Sequence, residues 1–339
     1  MVTIKDIARV TGYSIGTVSR VINNKADVSE EARSRIENAI KELDFYPNAN
    51  AKSLKQALPS GITVIVRGMN NRFLVSLLEE VQRLLTEHGE STNVVFLDEI
   101  EDEIEAAVRV SKNERPKGYI FLGGSASSFH QSFHQITIPS ILVTGSAEDL
   151  HYDNLSSITT DDFAAAYFAV NKLLEQGHKR IGIIGGNPVA FATDNSTRRL
   201  QGAIKALGDK GAVFDKDKDY APGYFSLEAG YESANQLLEQ DPDITAVFAL
   251  SDIVAFGAMR AFNDRGLKVP DDISICGFDG IDFVTYSVPR LTTVKQNVEE
   301  IAEKCVDDLL LRISYPRSAF HLTVPFSFID GESVAPPKK

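Results

Sequence analysis

The chain is poor in cysteine, with two in 339 residues. Two thiols exclude a disulfide framework. Cys276 falls in an apolar strand pattern and Cys305 in a helical one, so both read as buried thiols rather than a redox pair. No apolar run approaches the ~20 residues of a membrane span, and no charged-then-apolar leader opens the chain. The expectation is a cytoplasmic protein without a membrane partner. Catalytic frames are missing too. Gly185-Gly186-Asn187-Pro188 follows a strand pattern but is not Gly-x-Gly-x-x-Gly, and no Walker loop is present. Ser125, Ser127 and Ser128 have no Gly-x-Ser-x-Gly frame. His130 and His134 have the spacing of two metal ligands on one helix, without a nearby carboxylate pair. Neither an enzyme nor a cofactor or metal is expected. The end, Ser333-Val334-Ala335-Pro336-Pro337-Lys338-Lys339, carries no heptad run, so no coiled-coil tail is expected.

Positive charge is also scarce, and unevenly placed. Residues 1–56 hold nine Lys+Arg against seven Asp+Glu, while the rest holds 26 against 40. An acidic body behind a mildly basic head suits a protein whose head alone meets phosphate, with modest non-specific affinity. The head reads as three short helices. Ile4, Ile7, Ala8 and Thr11 share one helical face. Thr3 and Asp6 have capping-box spacing, and Gly12 stands where a left-handed residue ends the helix. Ser14 caps a second helix in which Val18, Val21 and Ile22 face inward, so Gly16, Arg20 and Asn23 face outward. Ser29-Glu30-Glu31 starts a third, with inner stripe Ala32, Ile36, Ala39, Ile40 and Leu43. This pattern predicts a helix-turn-helix unit over 1–46. Tyr46-Pro47-Asn48 then breaks the third helix. Asn48–Lys55 reads as a helix too short to be stable alone, inside a linker segment over 47–61.

From residue 62 onward, β and α patterns alternate. Apolar strand runs fall at 62–66, 93–97, 119–122, 140–143, 181–184, 246–250 and 273–278. Helical patterns fall around 73–88, 102–112, 162–176, 197–210, 226–240, 252–265 and 297–313. Continuous apolar strands between helices indicate parallel sheets covered on both faces. So many strands favour two subdomains, with a ligand at the carboxyl ends of the strands. Arg67 closes the first strand and Phe73 opens the first helix, which places both as candidate cleft residues.

The ordered set of motifs resembles the lactose-repressor/galactose-repressor (LacI/GalR) transcription factors. It begins with Thr3-Ile4-Lys5-Asp6-Ile7-Ala8, Thr17-Val18-Ser19-Arg20-Val21-Ile22-Asn23, Val28-Ser29-Glu30-Glu31 and Ala51-Lys52-Ser53-Leu54. It continues with Gly177-His178-Lys179-Arg180-Ile181, Arg199-Leu200-Gln201-Gly202, Val269-Pro270-Asp271-Asp272-Ile273-Ser274, Gly277-Phe278-Asp279 and Leu291-Thr292-Thr293-Val294-Lys295-Gln296. The resemblance implies an all-α helix-turn-helix head plus hinge helix, joined to an α/β body of the type I periplasmic-binding-protein kind over 62–339. That body would have two doubly wound parallel-sheet subdomains. The first would take about 62–158 and 293–324, the second about 159–292 and 325–339.

The resemblance also implies DNA contacts from Thr3, Ser14, Ile15, Gly16, Thr17, Ser19, Arg20 and Asn23. A hinge with Lys52, Leu54 and Lys55 would order on operator DNA, Leu54 wedging into the minor groove. Ile15 and Gly16 stand where the family usually carries base-reading polar side chains. Gly16 reads no base by side chain, and Ile15 meets at most a thymine methyl or sugar edges. For an effector, Arg199, Phe225, Asp279 and Gln296 match family pocket positions, and Ser251-Asp252 stands where Asn-Asp is usual. Carboxylate, guanidinium and aromatic groups suit a polyhydroxylated ligand. Arg67 adds a second cation that raises the prospect of a phosphorylated or acidic sugar, the alternative being that it pairs with Asp279. The expectation is a homodimeric repressor on palindromic operator DNA, responsive to a sugar or sugar phosphate. The alternative is a sugar-binding protein of the same body fold that acts without DNA.

Overall fold

The computed structural model describes residues 4–22, 28–43, 61–68, 71–124, 126–186, 195–212 and 214–338. Two compact units are present, split near Leu58 and Pro59. In the first, α1 (Ile4–Thr11), α2 (Ile15–Ile22) and α3 (Glu30–Glu42) enclose a small core of Ile7, Val18, Val21, Ile36 and Ala39. Gly12, at φ +76°, ends α1, its N–H bonding the carbonyl of Ala8 at 2.9 Å. Ser14 Oγ accepts the N–H of Thr17 at 3.1 Å and so caps α2. Ser29 Oγ does the same for α3 through Ala32 N–H at 3.4 Å. Asp6 is ion-paired with Arg9 at 2.9 Å. Thr3, its expected capping partner, lies outside the described residues, as does the linker over 47–60.

The second unit holds two six-stranded sheets. The first comprises β1 (Ile62–Arg67), β2 (Thr92–Leu97), β3 (Gly118–Leu122), β4 (Ser140–Val143), β5 (Leu155–Thr160) and β11 (His321–Val324). Its order is β11-β5-β4-β3-β1-β2, and every pairing is parallel. The second comprises β6 (Ile181–Ile184), β7 (Tyr220–Ala221), β8 (Ala246–Ala249), β9 (Ser274–Asp279), β10 (Thr292–Lys295) and β12 (Ser327–Ile329). Its order is β12-β10-β9-β8-β6-β7, parallel except for β12 against β10. In both sheets the order reverses beside the first strand, β1 or β6. That leaves a crevice at the carboxyl ends.

The helices that bear on the cleft are α4 (Arg72–Glu87), α5 (Glu103–Asn113), α6 (Ala126–Ser132), α7 (Asp162–Glu175) and α8 (Asn195–Asp209). They are followed by α9 (Lys216–Asp219), α10 (Leu227–Gln240), α11 (Asp252–Asp264) and α12 (Val298–Ser314). Most begin on a side-chain cap suited to a strand-to-helix turn: Asn71, Asp102, Asp161, Ser226, Ser251 and Asn297. His130 lies in α6 and His134 in the following 3-10 turn, Phe133–Gln135, so the two do not share a helix.

Three differences from the sequence reading have physical reasons. β5 carries four hydroxyl residues in six, so it lacks an apolar run. Its polar side chains serve tertiary bonds instead: Ser156 Oγ accepts from buried Arg312 at 2.8 Å and from Phe320 N–H at 3.0 Å. β10 pairs with β9 in the second sheet, so Thr293–Lys295 belong there rather than in the first lobe. The chain therefore returns to the first lobe at Gln296–Asn297, not at residue 293. β7, only two residues long, is too short to leave a sequence pattern.

Gly202 explains why the Arg199–Gly202 motif carries a glycine. A Cβ there would stand 2.2 Å from the carbonyl oxygen of Phe163, so α7 and α8 pack in near-backbone contact. Gly208, later on α8, faces open space. Gly202→Ala should therefore destabilise by about 1–3 kcal/mol through overpacking. Gly208→Ala should stabilise by about 0.5–1 kcal/mol by removing backbone freedom. Urea melts of the two variants should shift in opposite directions; a common sign would remove this account of the motif.

Candidate functional site

In the head, the outer face of α2 is the exposed one. Ile15 is 44% exposed, and Ser14, Gly16 and Arg20 are exposed beside it. Thr17 and Ser19 are half-buried, while Val18 and Val21 hold the helix to the core. Ser14 and Thr17 share a hydroxyl–hydroxyl bond of 2.9 Å, so both are engaged locally. Arg20 is the cation of this helix, near its carboxyl end. Asn23, Lys52, Leu54 and Lys55 lie outside the described residues.

In the body, the carboxyl ends of both sheets meet across a cavity of about 110 Å3. The first lobe contributes Arg67, Phe73, Glu99, Gly123, Gly124 and Thr144; the second contributes Asn195, Ser196, Arg199, Phe225 and Asp279. Arg67, Phe73, Arg199, Phe225 and Asp279 are thus brought together at one cleft. Phe73 is buried in the first-lobe core as well as lining the cavity.

Arg199 organises the second-lobe wall. Its Nε donates to Asp162 Oδ1 at 2.7 Å and its Nη1 to the Leu250 carbonyl at 2.6 Å. Nη1 also lies 3.3 Å from Asp279 Oδ1, and the guanidinium sits 3.7 Å above the Phe278 ring. Burial opposes its charge, but Asp162 and then Asp279 hold its pKa above the ordinary arginine value. Asp279 has φ 120°, a backbone region unfavourable for a residue with a Cβ. It is fixed there by Gln296, whose Nε2 donates to Asp279 Oδ1 at 2.9 Å and whose N–H donates to the Asp279 carbonyl at 3.0 Å. Arg199 and Asp279 both line the cavity, with their side chains 3.3 Å apart. An acceptor and a donor therefore stand side by side on the cavity wall.

Ser251, Asp252 and Gln296 do not line this cavity. Ser251 Oγ caps α11 through Val254 N–H at 3.4 Å. Asp252 is fully buried beneath the turn after β9. It accepts from Gly280 N–H at 2.6 Å, Ile281 N–H at 2.9 Å and Thr293 Oγ1 at 2.5 Å. Burial, and then Asp279, push its pKa well above the carboxylate range. These three residues hold the wall from behind, since their polar groups are engaged by the protein.

Several cleft residues escaped the sequence reading. Asn195 Nδ2 donates to the Thr144 carbonyl at 2.5 Å, a bond across the cleft. Glu99 of the first lobe and Phe225 of the second line the same cavity, and burial raises the Glu99 pKa against the pull of the Phe225 backbone. Arg67 Nη2 donates to the Glu99 carbonyl at 2.5 Å, and its Nε lies 3.8 Å from Glu103, whose side chain is fully buried. Glu103 opens α5 and reads in sequence as an ordinary helix-dipole acid. Asp162 escaped because β5, which precedes it, was not recognised.

A helix-turn-helix head in one chain with a two-lobed α/β body and an interlobe cleft defines a ligand-responsive DNA-binding regulator. Residues 3–48 match the family described as bacterial regulatory proteins, lacI family, and residues 170–334 match a periplasmic binding protein-like domain. The chain is 36% identical over 336 residues to the HTH-type transcriptional regulator MalR of Clostridium butyricum, covering 97% of this chain and 98% of that protein. It is 31% identical to the HTH-type transcriptional repressor PurR of Histophilus somni, covering 93% of each. Among solved structures, a LacI family transcriptional regulator from Enterococcus faecium with bound ribose aligns with TM-score 0.68 and 28% identity, over 81% of this chain and all of that one. A Lac repressor bound to ONPG in the repressed state aligns with TM-score 0.70 and 26% identity, over 98% and 99% of the two chains. The chain belongs to the LacI family, and it is a sequence-specific DNA-binding transcriptional regulator. Among the described residues no helix is long and apolar enough to cross a membrane, and no group of three or more His, Cys, Asp or Glu stands together to hold a metal.

The buried carboxylates give the cleft a pH signature. Burial pushes Asp279 from the ordinary 3.8 up to about 6, against the pull of Arg199 and Gln296. Burial raises Asp162 too, against Arg199. A carboxyl whose folded pKa lies above its unfolded one binds more protons when folded, so stability falls as pH rises between the two values. Wild type should thus lose stability relative to Asp279→Asn as pH rises from 3.8 to about 6, and the difference should then level off. Denaturant melts of both proteins at several pH values test this; a difference independent of pH would place the Asp279 titration elsewhere.

Proposed function

We propose that this regulator represses carbohydrate-utilisation genes as a homodimer on palindromic operator DNA, and that a sugar-type effector in the interlobe cleft controls it. The observation that carries the reading is the pair of cavity-lining side chains, Asp279 as acceptor and Arg199 as donor, beside Phe225. Adjacent hydroxyls match an acceptor–donor pair, and an aromatic face covers the C–H face of a sugar. The ribose in the Enterococcus faecium relative supports a sugar as ligand class. The names of the curated relatives, a regulator and a repressor, support repression.

Asp279→Ala should fold and bind operator, but respond to the effector only at concentrations about tenfold higher or more, since charge-assisted bonds contribute about 1.5–3 kcal/mol. Operator release in a gel-shift titration, with affinity from calorimetry, checks it. An unchanged effector midpoint would move the pocket away from Asp279.

One head reads only a few base pairs, so operator affinity requires two, related by the two-fold axis of a dimer. Thr3, Ser14, Ile15, Thr17, Ser19 and Asn23 are the supporting contacts of each head. In the hinge, Lys52 and Lys55 would meet phosphate and Leu54 would wedge into the minor groove. With Gly16 lacking a side chain, Arg20 carries a large share of the base readout, as a bidentate partner of guanine. Arg20→Ala should cost about 1–3 kcal/mol of discrimination at one base pair in each half-site. Selection of binding sites from a randomised DNA pool reads this directly. Retention of the full wild-type preference would remove Arg20 from that role.

A further inference from the structure

Two guanidinium groups face the cleft, and neither carries uncompensated charge. Arg199 lies between Asp162 and Asp279, with Asp252 bound beneath the same turn. Arg67 is bonded to the Glu99 carbonyl and lies 3.8 Å from the fully buried Glu103. Glu99 itself lines the cavity. Four carboxylates, those of Asp162, Asp279, Glu99 and Glu103, thus stand at or directly behind the cleft wall against two guanidinium groups, apart from Asp252, whose pKa burial pushes well above the carboxylate range. Two further cations, Arg72 and Arg198, are engaged outside the cleft. Arg72 lies over the Phe283 ring at 5.7 Å, and Arg198 pairs with Asp161 at 3.5 Å. Neither lines the cavity.

A phosphate ester brings about 1.5 to 2 negative charges at neutral pH. Entering this cleft, it would meet more negative than positive charge in a poorly screened setting. Burial already disfavours the charged forms of Glu99, Asp162 and Asp279, so further negative charge nearby adds to that cost. A neutral polyol carries no such penalty and has hydroxyls for Asp279, Arg199 and Glu99. We propose that the effector is an uncharged polyol, and that Glu103, by neutralising Arg67 from within the first lobe, makes the cleft refuse phosphorylated sugars. This deepens the effector reading and rests on it. It also reverses the sequence expectation, in which Arg67 counted as an additional cation for an acidic sugar. Glu103 is a positioning residue: it acts through Arg67 and does not reach the cavity itself.

The test uses the full-length protein. A thermal-shift screen of free sugars and their phosphate esters identifies the binder, and calorimetry then compares that sugar with its own ester. Wild type should bind the free sugar at least about 100-fold more tightly than the ester. Glu103→Gln should narrow the ratio about tenfold, mostly by improving ester binding, a gain that mere loss of structure does not produce. Glu103→Asp keeps the charge and should keep the discrimination. The wild-type ratio stands without any variant. An ester that binds wild type as tightly as its parent sugar overturns the proposal and leaves the effector reading intact. No stabilisation by any sugar or ester would overturn the effector reading, and this proposal with it.

Discussion

A single buried guanidinium, that of Arg199, is the constraint on which the second lobe depends. An unpaired charge so placed would cost several kcal/mol. It is tolerated because its partners come from separate elements: Asp162 from the first turn of α7, the Leu250 carbonyl beyond β8 and Asp279 at the end of β9. Those elements cannot move apart without exposing or orphaning the charge. Gly202, one turn along α8, lets that helix approach α7 closely enough for the contact. The residues that present polar groups to the cleft are therefore also the ones that hold the lobe together.

Asp279 links this network to the other lobe. Its unfavourable φ is maintained by Asp252 beneath the following turn and by Gln296, which sits where the chain crosses back. Beyond Gln296 the chain enters α12, which packs against α4 in the first lobe. The Asn195–Thr144 bond spans the cleft directly, and Glu99 and Phe225 face it from opposite lobes. A ligand that replaces these contacts with its own changes the energy of lobe closure. Only that difference between states, not tight binding as such, shifts a conformational equilibrium.

Much of the fold was legible because periodicity reports burial. The helices whose apolar faces pack on the sheets, such as α4 and α12, start and end within about two residues of their sequence patterns, the usual uncertainty of helix ends. β5 was illegible because its hydroxyls bond Arg312, His321 and backbone groups that lie far along the chain. The Gly177–Ile181 motif was visible as a resemblance but mute as physics. In the structure His178 bridges Thr245 and the Ala335 carbonyl, tying the C-terminal segment to the second sheet. At the cleft, strand-end logic singled out Arg67, and the family resemblance singled out Asp279. Neither separated wall from support, because Ser251, Asp252 and Gln296 are polar residues at the same strand ends whose bonding partners only the folded chain reveals. Glu103 was illegible for a different reason: helix-start acids are common on surfaces, and nothing local marks one that is fully buried.

The weakness of the head as a reader bears on how the regulator can be switched. α2 exposes an isoleucine and a glycine where polar side chains would add base contacts, leaving Arg20 as its cation. The head has a charge excess of only two, and the remainder of the chain is strongly acidic. Phosphate attraction is therefore limited, and operator affinity rests on few contacts. Coupling between two sites in a protein typically amounts to about 1–3 kcal/mol, the same size as one good bidentate base contact. Against a strongly basic head with many base contacts, coupling of that size would hardly change occupancy. Against this head it equals the loss of a principal contact in a half-site, so under the proposed function a modest rearrangement at the cleft is enough to change operator occupancy.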